Sequence, residues 1–117
     1  MSGTSADGTD AVLVEIDPNA YASGQPFRSL LGHLHQPYPS ELQTEVLLAA
    51  ADELKPSLLC KLQTRLGEAH ALAGRSLIQN LGVEPHFASL HGQTVQHWPG
   101  QGATLQLADP YPLSEAL

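Results

Sequence analysis

Apolar and polar positions along the chain change period several times, and each change marks an element. Ala11-Val12-Leu13-Val14-Glu15-Ile16 is a short β-branched run that predicts a buried strand, ended by Asp17-Pro18-Asn19. After a loop from Tyr21 to Pro26, Phe27 to His35 predicts a second strand with Leu30, Leu31 and Leu34 as its apolar members, interrupted by Gly32. Gln36-Pro37-Tyr38-Pro39 closes it, since two prolines oppose both a ladder and a helix interior. Ser40-Glu41-Leu42-Gln43 has capping-box spacing, Ser40 at N-cap and Gln43 at N3, and opens a helix. Its apolar positions Leu42, Val46, Ala49 and Ala50 carry it towards Leu54. Pro56-Ser57 starts a longer helix, in which Leu59, Leu62, Leu66, Ala69, Ala73 and Leu77 follow steps of three and four and form one apolar face. Gly82 is its expected left-handed stop.

The remainder returns to short elements. Pro85 to His91 predicts a strand that runs into a turn at Gly92. Thr94 to Trp98 and Ala103 to Leu107 alternate with period two around Pro99-Gly100-Gln101-Gly102, a hairpin signal. Asp109-Pro110 breaks the second of these, and Pro112-Leu113-Ser114-Glu115 predicts the first turn of a helix. Strand, strand, helices, strand and hairpin in that order predict an α/β domain.

Composition narrows the partners. The 117 residues hold 12 acidic and 5 basic side chains, a formal net charge of −7, and the scattered Lys and Arg make no basic stripe. That argues against nucleic acid and anionic membrane as partners. An apolar fraction of 42% is adequate for one small core. The single cysteine, Cys60, excludes an internal disulfide and reads as a small buried apolar residue of the long helix. No apolar run approaches the ~20 residues that cross a bilayer, and the N-terminus lacks a signal-peptide pattern, so a cytoplasmic location is expected.

Three segments carry candidate chemistry. Gly3-Thr4-Ser5-Ala6-Asp7-Gly8-Thr9-Asp10 is dense in glycine, hydroxyl and carboxylate groups just before a strand. Its glycines allow close approach to an anion, its hydroxyls donate, and Asp7 or Asp10 can hold a metal ion directly or through water. A polar β-turn is the plainer reading of the hexapeptide from Gly3 to Gly8 taken alone. It is not a Walker loop, because no Gly-Lys-Ser/Thr follows. His91-Gly92-Gln93-Thr94 sets an imidazole, an amide and a hydroxyl at a strand end, where α/β sheets bind ligands, or else satisfies turn backbone. Thr104-Leu105-Gln106-Leu107-Ala108-Asp109-Pro110 faces Gln106 away from its leucine neighbours and puts Asp109 where it can cap backbone amides. Elsewhere, His33 and His35 read as exposed strand histidines, His70 as a flank residue of the long helix, and Trp98 as either a sugar-stacking ring or a cover for the hairpin end.

Taken together, MSGTSADGTD, SLHGQTVQHWP and ATLQLADP, in that order with a helical pair between the first two, resemble the start of the anhydro-N-acetylmuramic acid kinases. The resemblance covers nearly the whole chain. It implies the two-domain fold of the actin, hexokinase and acetate-kinase group (ribonuclease H-like), of which residues 1–117 would be the N-terminal part of the first domain. It implies ATP and Mg2+ as cofactors, with Gly3, Thr4, Ser5, Ala6, Asp7, Gly8, Thr9 and Asp10 binding the phosphates and Asp7 and Asp10 the metal. On the sugar side it points to His91, Gly92, Gln93, Thr94, Gln106 and Asp109. Ala108 departs from the family's pattern, which has glycine there.

The implied reaction opens the anhydro ring of 1,6-anhydro-N-acetylmuramic acid and phosphorylates its 6-oxygen, in recycling of peptidoglycan. Full-length relatives are expected to be homodimers. The family's Asp-Phe-Arg segment, its Gly-Gly-Gln-Gly-Ala-Pro-Leu segment and its general-base aspartate would follow Pro110, and none is found within these residues. The chain is therefore expected to contain no catalytic base and to be inactive alone. The alternatives are a non-catalytic truncated product and a stand-alone carbohydrate- or nucleotide-binding module; aromatics at 5% weigh against a sugar module.

Overall fold

The computed structural model describes residues 6–117. Two antiparallel hairpins lie against a pair of helices. Strands β1 (Gly8–Ile16) and β2 (Phe27–Pro37) form the first hairpin, in a register that runs from Gly8 opposite Pro37 to Ile16 opposite Phe27. Its turn is a short 3-10 segment, Pro18–Ser23, capped by Asp17, whose carboxylate accepts from the Asn19 amide and pairs with Arg28. Strands β3 (Gln93–Trp98) and β4 (Ala103–Leu107) form the second hairpin around the expected Pro99–Gly102 loop. The two sheets share no strand.

Helix α1 spans Ser40–Ala50, α2 spans Pro56–Leu81, and the short α3 spans Tyr111–Ala116. The long helix is as its periodicity predicts. Pro56 opens it, Gly82 ends it at φ 64°, and Leu62, Leu66, Ala73 and Leu77 are buried on one face. Leu62, Leu66, Leu42, Val46, Ala49, Val95, Leu107, Tyr38 and Ala6 form one buried cluster, with Leu59 and Ala69 packed on its margin. The core therefore sits where α1, α2 and the second hairpin meet the residues leading into β1.

Several expectations are corrected. The run from Ala11 to Ile16 is not a buried strand: α2 covers one face of the first hairpin, and Val12 on the other is 51% exposed. β2 continues through Pro37, whose missing N–H falls at the strand's last position, where the ladder does not need it. Ser40 does not cap α1. It is the first helical residue, because the Pro39 carbonyl already accepts the Gln43 amide at 3.0 Å, and no side chain caps that end. α1 also stops at Ala50, short of Leu54, where Asp52 turns the chain with φ 61°. Pro85 to His91 forms no strand, since none of the described strands lies alongside it to pair with. Cys60 is exposed, and His70 is buried on the inner face of α2 rather than on its flank. Among the described residues, no helix is long and apolar enough to cross a membrane.

Candidate functional site

The first arm of the site is the approach to β1. Gly3, Thr4 and Ser5 lie outside the described residues, so the expectation for them falls there too. Ala6 is buried at 2% exposure and takes φ 56°, a left-handed conformation that a residue with a Cβ adopts rarely. Asp7 is exposed, and its carbonyl accepts the Tyr38 amide at 3.1 Å. The strand begins earlier than its apolar run suggests, so Gly8, Thr9 and Asp10 belong to β1 and not to a turn. A Cβ on Gly8 would collide with the Gln36 carbonyl oxygen and approach the His35 ring to 2.9 Å, so the close pairing there needs glycine. Thr9 is buried, and its hydroxyl meets no hydrogen-bond partner among the described residues.

Asp10 sits between two histidines of the neighbouring strand. His33 Nε2 and His35 Nδ1 each lie 3.0 Å from Asp10 Oδ1, with imidazole N–H groups donating to the carboxylate. The bond from His33, then that from His35, holds the Asp10 carboxyl below its ordinary range against a weaker opposing effect of burial. A signal for this existed: His-x-His repeats on one strand face, and an antiparallel partner with an acid two residues into its strand can meet both.

The second arm is the start of β3 with the end of β4. Gly92 takes φ 84°, and a Cβ there would lie 2.6 Å from the Leu107 carbonyl oxygen and 2.8 Å from the Ala108 methyl. Only glycine fits that turn, which sets β3 tightly against the exit from β4. The His91 ring nitrogen Nδ1 lies 3.0 Å from the Gly92 carbonyl oxygen and donates to it. Gln93 is completely buried; its Oε1 accepts from the Tyr38 hydroxyl at 3.0 Å and its Nε2 donates to the Thr94 carbonyl at 3.1 Å. Gln106 Nε2 reaches the hydroxyls of Thr94 at 3.3 Å and Thr104 at 2.6 Å, so these side chains form a polar ladder across the hairpin. Asp109 packs on Gly67 of α2 and its Oδ1 accepts the Tyr111 amide at 3.1 Å, the backbone-capping role open to it from sequence. Trp98 is 55% exposed, with its indole N–H donating to Gln96 Oε1 at 2.8 Å.

Tyr38, which carries no recognisable motif, joins the two arms. Its bonds to Asp7 and Gln93 run between elements distant in sequence. Among the described residues no group of three or more His, Cys, Asp or Glu side chains is placed to cage a metal ion. A magnesium ion shared with phosphate oxygens needs only one or two carboxylates and keeps several waters, a requirement that the exposed Asp7 fits; Asp10 Oδ1 lies beside two imidazoles. Apart from both arms, a cleft of about 590 Å³ opens between residues 85–90 and α3, lined by Phe87, Leu90, Pro110, Leu113 and Leu117 among others.

Comparison with known proteins supplies the family. A family model described as anhydro-N-acetylmuramic acid kinase matches residues 1–116. The anhydro-N-acetylmuramic acid kinase of Neisseria meningitidis serogroup C is 38% identical over 115 residues, which are 93% of this chain and 29% of that protein. The enzyme of the same name from Acidithiobacillus ferrooxidans is 40% identical over 109 residues, 92% of this chain and 26% of its own. That from Synechococcus sp. (strain CC9605) is 41% identical over 115 residues, 92% and 28% respectively. The chain thus spans under a third of the length of these curated relatives. With nearly every residue inside the matched region, the chain belongs to the anhydro-N-acetylmuramic acid kinase family.

Proposed function

We propose that this chain supplies the phosphate-binding segment and part of the sugar wall of an ATP-dependent kinase. The reaction is ring opening of 1,6-anhydro-N-acetylmuramic acid coupled to phosphorylation of its 6-oxygen. Water adds at the anomeric carbon, the bond from that carbon to the 6-oxygen breaks, and the 6-oxygen takes the terminal phosphoryl group of ATP, releasing ADP. The observation that carries the reading is the family match over residues 1–116, which includes both arms of the site.

Phosphoryl transfer depends on positioning and on electrostatic relief at the phosphates. In this reading residues 3–10 line the nucleotide phosphates, with Asp7 holding magnesium through water. The ion, when bound, neutralises phosphate charge. Asp10 keeps its carboxylate ionised beside His33 and His35 and orders the start of β1. The Thr94, Thr104 and Gln106 ladder offers hydroxyl and amide groups of the kind that read sugar hydroxyls, and His91 and Asp109 flank it in sequence. The general base belongs to sequence that relatives carry past the Asp-Pro turn, so turnover is assigned to the longer protein. The actin-like two-domain fold, a cytoplasmic location, a homodimer and a place in peptidoglycan recycling complete the proposal.

A carbohydrate-binding module without nucleotide chemistry is the rival that the exposed Trp98 and the polar ladder favour. Titration of the chain with a magnesium complex of a non-hydrolysable ATP analogue separates the two. The kinase reading expects saturable binding that Asp7→Asn weakens about tenfold, roughly 1.4 kcal/mol. Sugar binding with no nucleotide binding would overturn it in favour of the module.

A further inference from the structure

We propose that Tyr38 is a positioning residue that fixes the spacing between the phosphate arm and the sugar arm; its functional role rests on the kinase reading above. The two arms belong to different sheets that share no strand, so backbone pairing does not set their separation. Tyr38 reaches both. Its amide donates to the Asp7 carbonyl at 3.1 Å, at the point where the phosphate segment enters β1. Its hydroxyl donates to Gln93 Oε1 at 3.0 Å, across 55 residues of sequence, at the first residue of β3.

The surroundings make this link stiff. Tyr38 lies between Pro37 and Pro39, whose rings confine their own backbone and bias the residue before each towards extended conformations. Its ring is 7% exposed and packs in the cluster that also holds Ala6 from the first arm and Val95 and Leu107 from the second hairpin. Gln93 is fully buried, and its amide nitrogen is committed to the Thr94 carbonyl. A hydrogen bond between two buried groups is expensive to leave unmade, so the distance between them is held and not merely sampled. Thr94, the next residue along, carries the hydroxyl that meets Gln106. Tyr38 therefore sets where the polar ladder stands relative to Asp7 and Gly8, while touching neither phosphate nor sugar in the proposed complex. Alignment of donor and acceptor is the quantity phosphoryl transfer is most sensitive to, which gives such a strut a purpose.

The test uses the 117-residue chain with two variants that remove the bond from opposite ends. Tyr38→Phe deletes one oxygen and keeps the ring; Gln93→Met deletes the acceptor at similar volume. Amide NMR spectra without ligand are expected to change at Gln93 and Thr94 and also at Asp7 and Gly8 in both variants, with the double variant adding nothing. Binding of Mg·ADP per folded molecule is expected to weaken about fivefold in each. Shifts confined to residues 91–96 would overturn the strut. Shifts at both arms with unchanged Mg·ADP affinity would overturn its positioning role. A wild-type chain that binds no Mg·ADP would instead overturn the kinase reading and the role built on it, while the shifts at Asp7 and Gly8 still decide the strut itself.

Discussion

Where α1, α2 and β3 meet, Val46, Leu62 and Leu66 are removed from solvent altogether, whereas Val12, Phe27 and Leu30 of the first hairpin are more than half exposed. Both regions are rich in aliphatic residues, so apolar content does not separate them. Layering does: the core is enclosed from several sides by helices and the second hairpin, while among the described residues α2 is the element packed on the first hairpin. The proposed phosphate segment lies on the seam. Ala6 belongs to the enclosed cluster and Gly8 to the open hairpin, so the candidate site spans both regions.

The largest effect expected from this contrast is on stability. Leu66→Ala should lower unfolding free energy by about 3 kcal/mol, through lost transfer energy and a cavity, and Val12→Ala by under roughly 0.5 kcal/mol. Denaturant melts of both variants check this, and equal losses would erase the distinction between the regions. Next comes pH. Burial pushes the His70 imidazole down to about 4, so the folded chain holds it neutral while the unfolded chain takes up a proton near 6.5. Between those values the unfolded state binds more protons, and stability falls as pH falls, by up to about 3 kcal/mol. His70→Leu should flatten that part of the stability–pH curve. The smallest effect concerns the hairpin surface. His33→Ala removes the first of the two bonds that lower the Asp10 carboxyl, so its titration should move up towards the ordinary range with only a few tenths of a kcal/mol lost, because the pair is exposed. NMR titration of the Asp10 carboxyl reads this directly, and an unmoved midpoint would show that the contact is incidental.

What the sequence makes legible follows the same division. The buried face of α2 can be read from steps of three and four, and the second hairpin from alternation around a Pro-Gly loop, because those signals are local. The contact of Asp10 with His33 and His35 depends on strand register, and the bond from Tyr38 to Gln93 on packing between separate sheets. The His-x-His spacing marks a strand face without naming the acid it meets, and the Tyr38 bond leaves no local mark at all. Pro85 to His91 shows the converse: its composition favours a strand, but a strand also needs a neighbour, which local sequence does not specify. The candidate site's motif residues could be named from resemblance and the capping position of Asp109 from its Asp-Pro turn, whereas the burial of Gln93 emerges only with the fold.

Whether residues 3–10 form the nucleotide-phosphate arm of a kinase is decided by mapping where Mg·ADP binds on the isotopically labelled chain. Amide shifts on titration should be largest within residues 3–10 and reach Tyr38 and the start of β3. Shifts centred on the cleft between residues 85–90 and α3, with residues 3–10 unmoved, would contradict it.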